Sequence, residues 1–583
     1  MTEASDSAES GVVPDPAIDL EPVPDTVARP GSTKLTRGLR WVTGGPGARV
    51  YEFLQWCRRV GWWFLDLGDA LGGLVTRAPS PTDEPTKVIR VAGRRMRAVV
   101  VPDASPSSVR LRTTAVVADA LTAAGVEFFA LPDGIGRVRI CVRSGDAVGA
   151  LDALASVVAS EPLHVGVVRR DRVLGVRGAD RFRRRRLRGA RALRVVIPAV
   201  DPHTRMLLAM DEAGVDVELW RVLGGDVWGA PLANRYGPNL RPAARVPSVL
   251  SCDGLDLPSF EELTVTHVDQ VTFPIDVVYT WVNGDDPAWR DRMERHRTGV
   301  GSGHTAQSAS DARFTDFDEL RYSLRSIAAY APWIRHVWLV TDDQTPSWLR
   351  TDCPDLTVVS HRDIWSDTDE LPVFNSHAIE ANLSRIEGLA EHYIYFNDDV
   401  LLGRDISPTQ FFSPGGVIRF YPSSAQVGLG PPLPADGAPS FAAKNDRALL
   451  REATQSIQTQ KLWHTPHAQR RSIATELIER FPDAFAATSR SRFRDPTDIA
   501  PVPLHLWYAY RTGRAVPDFL AYGYIILGRR STRRALRRLR RHRHLDVFCL
   551  NQSDNPGIDP ARVRADLETF LDAYFPFKSR WES

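Results

Sequence analysis

The chain has 583 residues, 43% of them hydrophobic, with 73 basic and 71 acidic side chains. That length asks for about three or four domains, and the balanced charge argues against a protein devoted to nucleic acid. Five scattered cysteines (Cys57, Cys141, Cys252, Cys353 and Cys549) show no metal-ligand spacing, argue against a disulfide framework and fit a reducing compartment.

Residues 1–34 are acidic and carry Pro and Ser, which predicts a disordered tail without a secretory leader. No stretch reaches the ~20 apolar residues of a membrane span. Residues 35–77 mix Trp41, Trp56, Trp62, Trp63 and Phe64 with Arg37, Arg40, Arg58 and Arg59. This helical segment suits a membrane surface or a hairpin packed on the next domain; Asp66 and Asp69 interrupt its apolar side and favour the hairpin. Strands alternate with helices over 88–178, and a β-rich stretch spans 190–250. Together they predict an N-terminal α/β extension, 88–260, with a structural or regulatory role. The run RFRRRRLR between them reads as a solvated face or linker.

From Phe273 the pattern changes. Ile275–Val282 reads as a buried strand that stops in Asn283-Gly284-Asp285-Asp286, and the polar loop 299–310 is a candidate lid. Leu320, Leu324 and Ile327 predict a helix over Asp318–Tyr330, with Arg321 and Arg325 one turn apart on one face. Strands Val337–Thr341, ending in Asp342-Asp343, and Leu356–Ser360 follow, and then 371–390 reads as helical. Tyr393–Phe396 is another buried strand, ending in Asn397-Asp398-Asp399. Asn and Asp suit a plain turn. Yet adjacent carboxylates at a buried strand end are costly unless their charge is used. Ligands of open α/β sheets lie beyond the carboxyl ends of the strands, and hard divalent cations take carboxylate oxygens. The expectation is an α/β fold with a parallel or mixed sheet and a nucleotide-diphosphate site at its carboxyl edge.

The Gly/Pro-rich stretch from Tyr421 to Ser440 predicts a flexible loop, with a helix over 441–455 after it. His464 and His467 bracket Thr465-Pro466, with a helix expected just after Pro466, and Arg492 and Arg494 lie beside Asp495 and Asp498. Arginines of 529–544 fall on nearly every helical face, which reads as solvated charge rather than an amphipathic stripe. Strand Val547–Leu550 ends in Asn551-Gln552-Ser553-Asp554, and a helix over Pro560–Tyr574 closes the chain.

These blocks together resemble the Stealth family of sugar-1-phosphate transferases. The resemblance is carried by IDVVYTWVNGDDPAW (275–289), by 314–349 with 371–403, by the His-Thr-Pro-His region (441–495) and by FCLNQSDN (548–555), and it covers about 273–580. The N-terminal half is similar to the extension of actinobacterial exopolysaccharide phosphotransferases. Gln552 and Ser553 stand where the family has a more acidic run, so Asn551 and Asp554 remain alternatives as metal contacts.

The resemblance implies a nucleotide-diphospho-sugar-transferase-like (GT-A-like) catalytic domain over 273–580. It implies transfer of a hexose-1-phosphate, such as GlcNAc-1-phosphate, from a UDP-sugar to a glycan hydroxyl with release of UMP, in exopolysaccharide or capsule synthesis. The implied location is cytoplasmic, with the inner face of the plasma membrane as a candidate peripheral contact and no nucleic-acid partner. On that reading Asp398 and Asp399, with Asn551 or Asp554, hold Mg2+ or Mn2+. Arg494, Arg321 or Arg325 clamps phosphate oxygens. His464, ahead of His467, takes the acceptor proton, and Asp276, Trp281, Asn283 and Gly284 line the nucleotide site. The rivals are a conventional metal-dependent glycosyltransferase releasing UDP, and a non-catalytic glycan- or membrane-binding protein, which leaves the acidic strand ends unexplained.

Overall fold

The computed structural model describes residues 86–583 apart from 92–93, 102–104, 135, 170–171, 202–206, 209–212, 298–316, 434–435, 437, 530 and 553–558. The expectations for 1–34, 35–77, the loop 299–310 and Asp554 lie outside the described residues. Among those residues no helix is long and apolar enough to cross a membrane.

Ahead of residue 260, strands Val138–Arg143, Val215–Gly224, Ala192–Val196, His164–Arg169 and Arg172–Gly178 are successive neighbours in a mixed sheet. Helices Pro106–Ala123 and Ala147–Ser156 bury Val117, Leu121, Leu151 and Leu154 in its core, so their apolar faces are consumed inside this layer. Phe577, from the other end of the chain, sits in the same core, and Arg110 reaches Asp405 at 3.4 Å.

The half bearing the acidic strand ends has eight strands that matter for the site. They are β1 (Ile275–Thr280), β2 (His336–Thr341), β3 (Leu356–Ser360), β4 (His392–Asn397), β5 (Val400–Leu402), β6 (His467–Arg470), β7 (Tyr522–Ile526) and β8 (Val547–Asn551). The helices around them include α1 (Glu319–Tyr330), α2 (Ser376–Glu380), α3 (Thr532–His542) and α4 (Pro560–Tyr574). The main sheet has the order β3-β2-β1-β4-β6. Its first four members are parallel and β6 is antiparallel to β4. Strands covered on both faces need continuous apolar runs, and IDVVYT in β1 and YIYF in β4 supply them. This is the α/β mixed sheet expected.

The topology decides where a ligand can sit. The chain steps from β1 to β2 and β3 on one side and returns with β4 on the other. The switch point therefore lies between β1 and β4, with a crevice beyond their carboxyl ends. Asn283-Gly284-Asp285 follows β1, and Asp398-Asp399 follows β4. A second sheet, β5-β8-β7, starts at that turn. Val400 of β5 pairs opposite Cys549 of β8, and the Leu550 N–H donates to the Asp399 carbonyl at 2.9 Å. The last strand is thus locked beside the acidic turn. Helix α1 buries Leu320, Leu324 and Ile327, and its Ser323 hydroxyl donates to the Val400 carbonyl at 2.6 Å while contacting the Tyr279 hydroxyl at 2.6 Å.

Four local expectations are corrected. Residues 371–390 form no single helix: α2 is five residues long and a 3-10 turn follows over Leu383–Arg385. The Asn382 amide donates to the Ala378 carbonyl at 2.9 Å and to the Ser489 hydroxyl at 3.0 Å, which suits a helix end better than its interior. After Pro466 the chain first pairs with the open edge of β4 as β6, and the helix starts at Arg471. The arginine-rich tail is an amphipathic helix after all, because Thr532, Leu536 and Leu539 of α3 are buried at helical spacing. The stretch expected as a flexible loop contains a strand, Pro422–Gln426, paired with Gln460–Leu462.

Candidate active site

Four residues meet where β4, β5 and β8 come together. The Asn397 side-chain amide donates to His464 Nε2 at 2.7 Å. On its other side His464 Nδ1 lies 3.3 Å from Cys549 Sγ and 3.6 Å from Asp399 Oδ1. The Cys549 thiol donates to Asp399 Oδ2 at 3.2 Å. Burial, reinforced by the Asp399 charge, pushes that thiol well above its usual range, so Cys549 rests as a neutral donor. The His464 side chain is 38% exposed, enough for a substrate to reach it. Asp398, the neighbour, offers its Oδ1 to the Asp399 N–H at 3.0 Å.

A second group lies against β4 beside the end of β1. Glu380, the last residue of α2, accepts from the Tyr395 hydroxyl at 3.4 Å, and that hydroxyl also contacts Thr280 Oγ1 at 3.0 Å at the end of β1. Burial pushes the Glu380 carboxyl up to about 7, against the pull of nearby Arg494. Arg494 donates to the Ser376 hydroxyl at 2.9 Å, while its Nε is enclosed without a partner. Burial also lowers the pKa of this guanidinium. An enclosed cation with an unused donor is a ready phosphate ligand. Clusters of shifted acids and bases in a crevice mark functional sites, and Glu380 meets that description better than several residues picked from the sequence.

Some expected site residues lie elsewhere. Asp276 sits at the amino end of β1, away from the crevice, and accepts from Arg335 Nε at 2.7 Å, Trp338 Nε1 at 2.9 Å and the Ala390 N–H at 2.9 Å. Its carboxylate is filled by structure, which corrects its place at a nucleotide. Arg325 and Arg321 are corrected likewise: both bind Glu582, through Arg325 Nε at 2.8 Å and Nη2 at 2.7 Å and Arg321 Nε at 2.7 Å. They anchor α1 rather than clamp a phosphate. Trp281 is only 7% exposed and packs in the core that carries β1. His467 lies opposite Tyr395 in β6, and burial pushes its imidazole down to about 3, too weak for a base at neutral pH.

Other expected residues are at the crevice edge. The loop after β1 is held by Gln344, whose Oε1 accepts from the Asn283 N–H at 2.9 Å and whose Nε2 donates to Asn283 O at 3.1 Å and Asp286 Oδ2 at 2.9 Å. Gly284 O accepts from Arg290 Nε at 3.0 Å. Asn551 ends β8, two residues past Cys549. Sequence reasoning missed Glu380, Gln344 and Cys549. The only signal available was that Cys549 precedes an acidic strand end by the same interval that Tyr395 precedes Asn397.

A cation fits this floor on one structural ground: Asp399 Oδ1 is enclosed and lacks any hydrogen-bond donor. A buried anionic oxygen left so is costly, and a positive ion beside it removes the cost.

Comparison with known proteins agrees in register with this layout. Stealth protein conserved regions 1, 2, 3 and 4 match residues 273–300, 313–420, 463–511 and 537–583. An exopolysaccharide phosphotransferase of Streptomyces coelicolor is 39% identical over 522 residues, covering 86% of this chain and 95% of that protein. A second from the same organism is 39% identical over 523 residues, covering 87% and 88%. Exopolysaccharide phosphotransferase CpsY of Mycobacterium tuberculosis is 37% identical over 374 residues, covering 63% and 69%. Among solved structures, the galactosyltransferase LgtC with donor and acceptor sugar analogs overlaps 52% of this chain and 96% of its own, at 9% identity and a TM-score of 0.26. With all four conserved regions in order and near-full-length relatives at this identity, the chain belongs to the Stealth protein family, alongside these exopolysaccharide phosphotransferases.

Proposed function

We propose that the chain transfers a hexose-1-phosphate from a UDP-sugar to a hydroxyl of a glycan acceptor and releases UMP, in the assembly of an exopolysaccharide. The observation that carries this reading is the imidazole of His464 at the carboxyl edge, held by Asn397 at 2.7 Å beside Asp398 and Asp399. The acceptor oxygen attacks the β-phosphorus of the donor, the bond from that phosphorus to the bridging oxygen breaks, and UMP leaves with the bond's electrons. His464 Nε2 accepts the acceptor proton, the Asn397 amide giving way. Arg494 Nε faces the transferred phosphoryl group, whose charge spreads over its oxygens. Asp398 and Asp399, with Asn551, are the residues to hold Mg2+ or Mn2+. Such an ion neutralises diphosphate charge when bound.

The acceptor side is supported by aromatic surface. Trp463 stacks on Tyr522 at 5.3 Å with Phe519 edge-on at 5.8 Å, and Tyr524 lies 6.4 Å from the His464 ring. Tyr524 is 49% and Phe519 40% exposed. Apolar ring faces with a few fixed polar groups suit the faces of a sugar.

The test is product analysis of a panel of UDP-sugars with a glycan acceptor and magnesium or manganese. UMP and a phosphodiester are expected. UDP and a glycoside instead would make the chain a conventional glycosyltransferase. In the same assay His464→Ala lowers kcat by about 10²- to 10⁴-fold, the usual worth of a general base. Wild-type turnover in that variant removes His464 from the reaction.

A further inference from the structure

We propose that Asp399, His464 and Cys549 form a site for a thiophilic divalent cation of the zinc class, and that filling it switches off proton transfer at His464. The switch rests on the function proposed above; the cation site does not.

The three side chains bring a carboxylate oxygen, an imidazole nitrogen and a sulfur into one cluster within 4.8 Å. This is a borderline-soft donor set, of the kind that holds zinc rather than magnesium. Spacing points the same way. Bonds of about 2.0–2.3 Å at tetrahedral angles place donor atoms roughly 3.3–3.6 Å apart. His464 Nδ1 and Cys549 Sγ stand 3.3 Å apart, within that range, while Asp399 meets them from its two different oxygens, Oδ1 at 3.6 Å from Nδ1 and Oδ2 at 3.2 Å from Sγ, so a small turn of the carboxylate brings one oxygen to the cation. An octahedral magnesium site asks for an all-oxygen set with neighbours about 2.9 Å apart.

The cluster is also held in place. Asp399 and Cys549 are joined through the pairing of Val400 with Cys549 and the Leu550–Asp399 backbone bond at 2.9 Å. His464 is oriented from behind by Asn397 at 2.7 Å, the outer contact that a ligating histidine needs. The enclosed, donorless Asp399 Oδ1 is an independent sign that a positive group belongs there. Side-chain exposures of 38% for His464 and 21% for Asp399 leave a way in, and a fourth position open to water.

The proton balance fixes the consequence. At rest the Asn397 amide donates to Nε2, so the imidazole proton is on Nδ1. For the cation to bind, Cys549 loses its Sγ proton to solvent, and the imidazole proton moves from Nδ1 to Nε2. The Asn397 side chain then turns its carbonyl oxygen to that N–H. One proton is released per cation. Nδ1 is now a ligand and Nε2 is protonated, so the ring has no lone pair left for an acceptor hydroxyl.

The experiment uses the full chain, stripped with a chelator and titrated with Co2+ as a spectroscopic stand-in for zinc, then with Zn2+ in competition. One equivalent of Co2+ with a thiolate-to-cobalt absorption band is expected. The band disappears in Cys549→Ala, and affinity falls at least tenfold in His464→Ala. No band in the wild type, or an unchanged band in a folded Cys549→Ala, overturns the site; should Cys549→Ala not fold, an unchanged Co2+ affinity in both Asp399→Asn and His464→Ala overturns it. In the second arm Zn2+ is added to magnesium-supported UMP release. Loss of rate of at least tenfold, tracking occupancy and reversed by chelator, is expected, and full rate at saturating zinc overturns the switch. If no donor yields UMP, the proposed function and the switch fall together, while the cobalt band still decides the cation site.

Discussion

Glu380 is the residue whose chemistry was hardest to see in advance. In the sequence it is one acid in a stretch that reads as a helix, while the structure ends α2 at it and encloses its carboxyl with Tyr395 and Arg494. Burial pushes that carboxyl up to about 7, within the range where it changes charge at working pH. The wild-type kcat/KM profile should therefore carry a limb near pH 7 that Glu380→Gln removes while its melting temperature stays close to wild type. A limb that survives the substitution assigns it to another group. For the acidic pair, Asp398→Asn is expected to weaken activation by Mg2+ by at least tenfold in the concentration giving half-maximal rate, checked by titrating the ion in the UMP assay. The acidic turn was legible because it follows a buried apolar run, a pattern that one sequence displays. The partnership with Cys549 was not, because 150 residues separate it from Asp399 and only the pairing of β5 with β8 brings them together.

At the scale of elements, strand and helix positions followed from apolar periodicity, and the departures have local causes. β3 and α4 have the bounds expected of them, since each is closed by its own turn or cap: Asp559 caps α4 by accepting from the Ala561 N–H. β6 was misread because its sequence, HAQR, has no strand signature; a free edge on β4 gives it one. Helix α1 shows how a charged pair can pass for a substrate site. Arg321 and Arg325 share a face as expected, but the face meets Glu582, which is fully enclosed, as is nearly all of Arg325. Removing one partner of such a pair leaves a buried charge, at a cost of about 3–5 kcal/mol. Arg325→Ala should lower the denaturant midpoint accordingly and leave the KM for the UDP-sugar within twofold in the folded protein. A large rise in KM without loss of stability returns Arg325 to the phosphate.

The whole molecule has an acid dependence that can be worked out in sign. Burial pushes His361 down to about 4 and His467 and His505 down to about 3. Unfolded imidazoles take up protons below about 6.5. In that window the unfolded chain binds more protons, so stability falls as pH falls. Glu380, raised to about 7, and Asp498, raised to about 6, work in the opposite sense until their unfolded forms protonate near pH 4. Burial lowers His164, His336 and His392 as well and raises Glu218 and Asp446, so six imidazoles against four carboxyls leave a shallow decline of melting temperature from pH 6.5 to 4.5 and a steep one below 4. A melting temperature flat down to pH 3 would show that these histidines are not held neutral.

The tie between α1 and Glu582 also bears on how the chain finds its fold. Arg325 and Glu582 are 257 residues apart, and Arg321 and Glu582 261. Contacts at such separations come with a loop-closure entropy that nothing local offsets, and rates fall as native contacts become less local. The β1–β4 sheet can assemble from nearer pieces, but the face of α1 that meets Glu582 stays open until the distant segment arrives. The last phase of refolding from denaturant should thus be the docking of 575–583 on α1. That phase is the interval in which an apolar helix flank and two arginines face solvent, and it is when this enzyme is most exposed to aggregation.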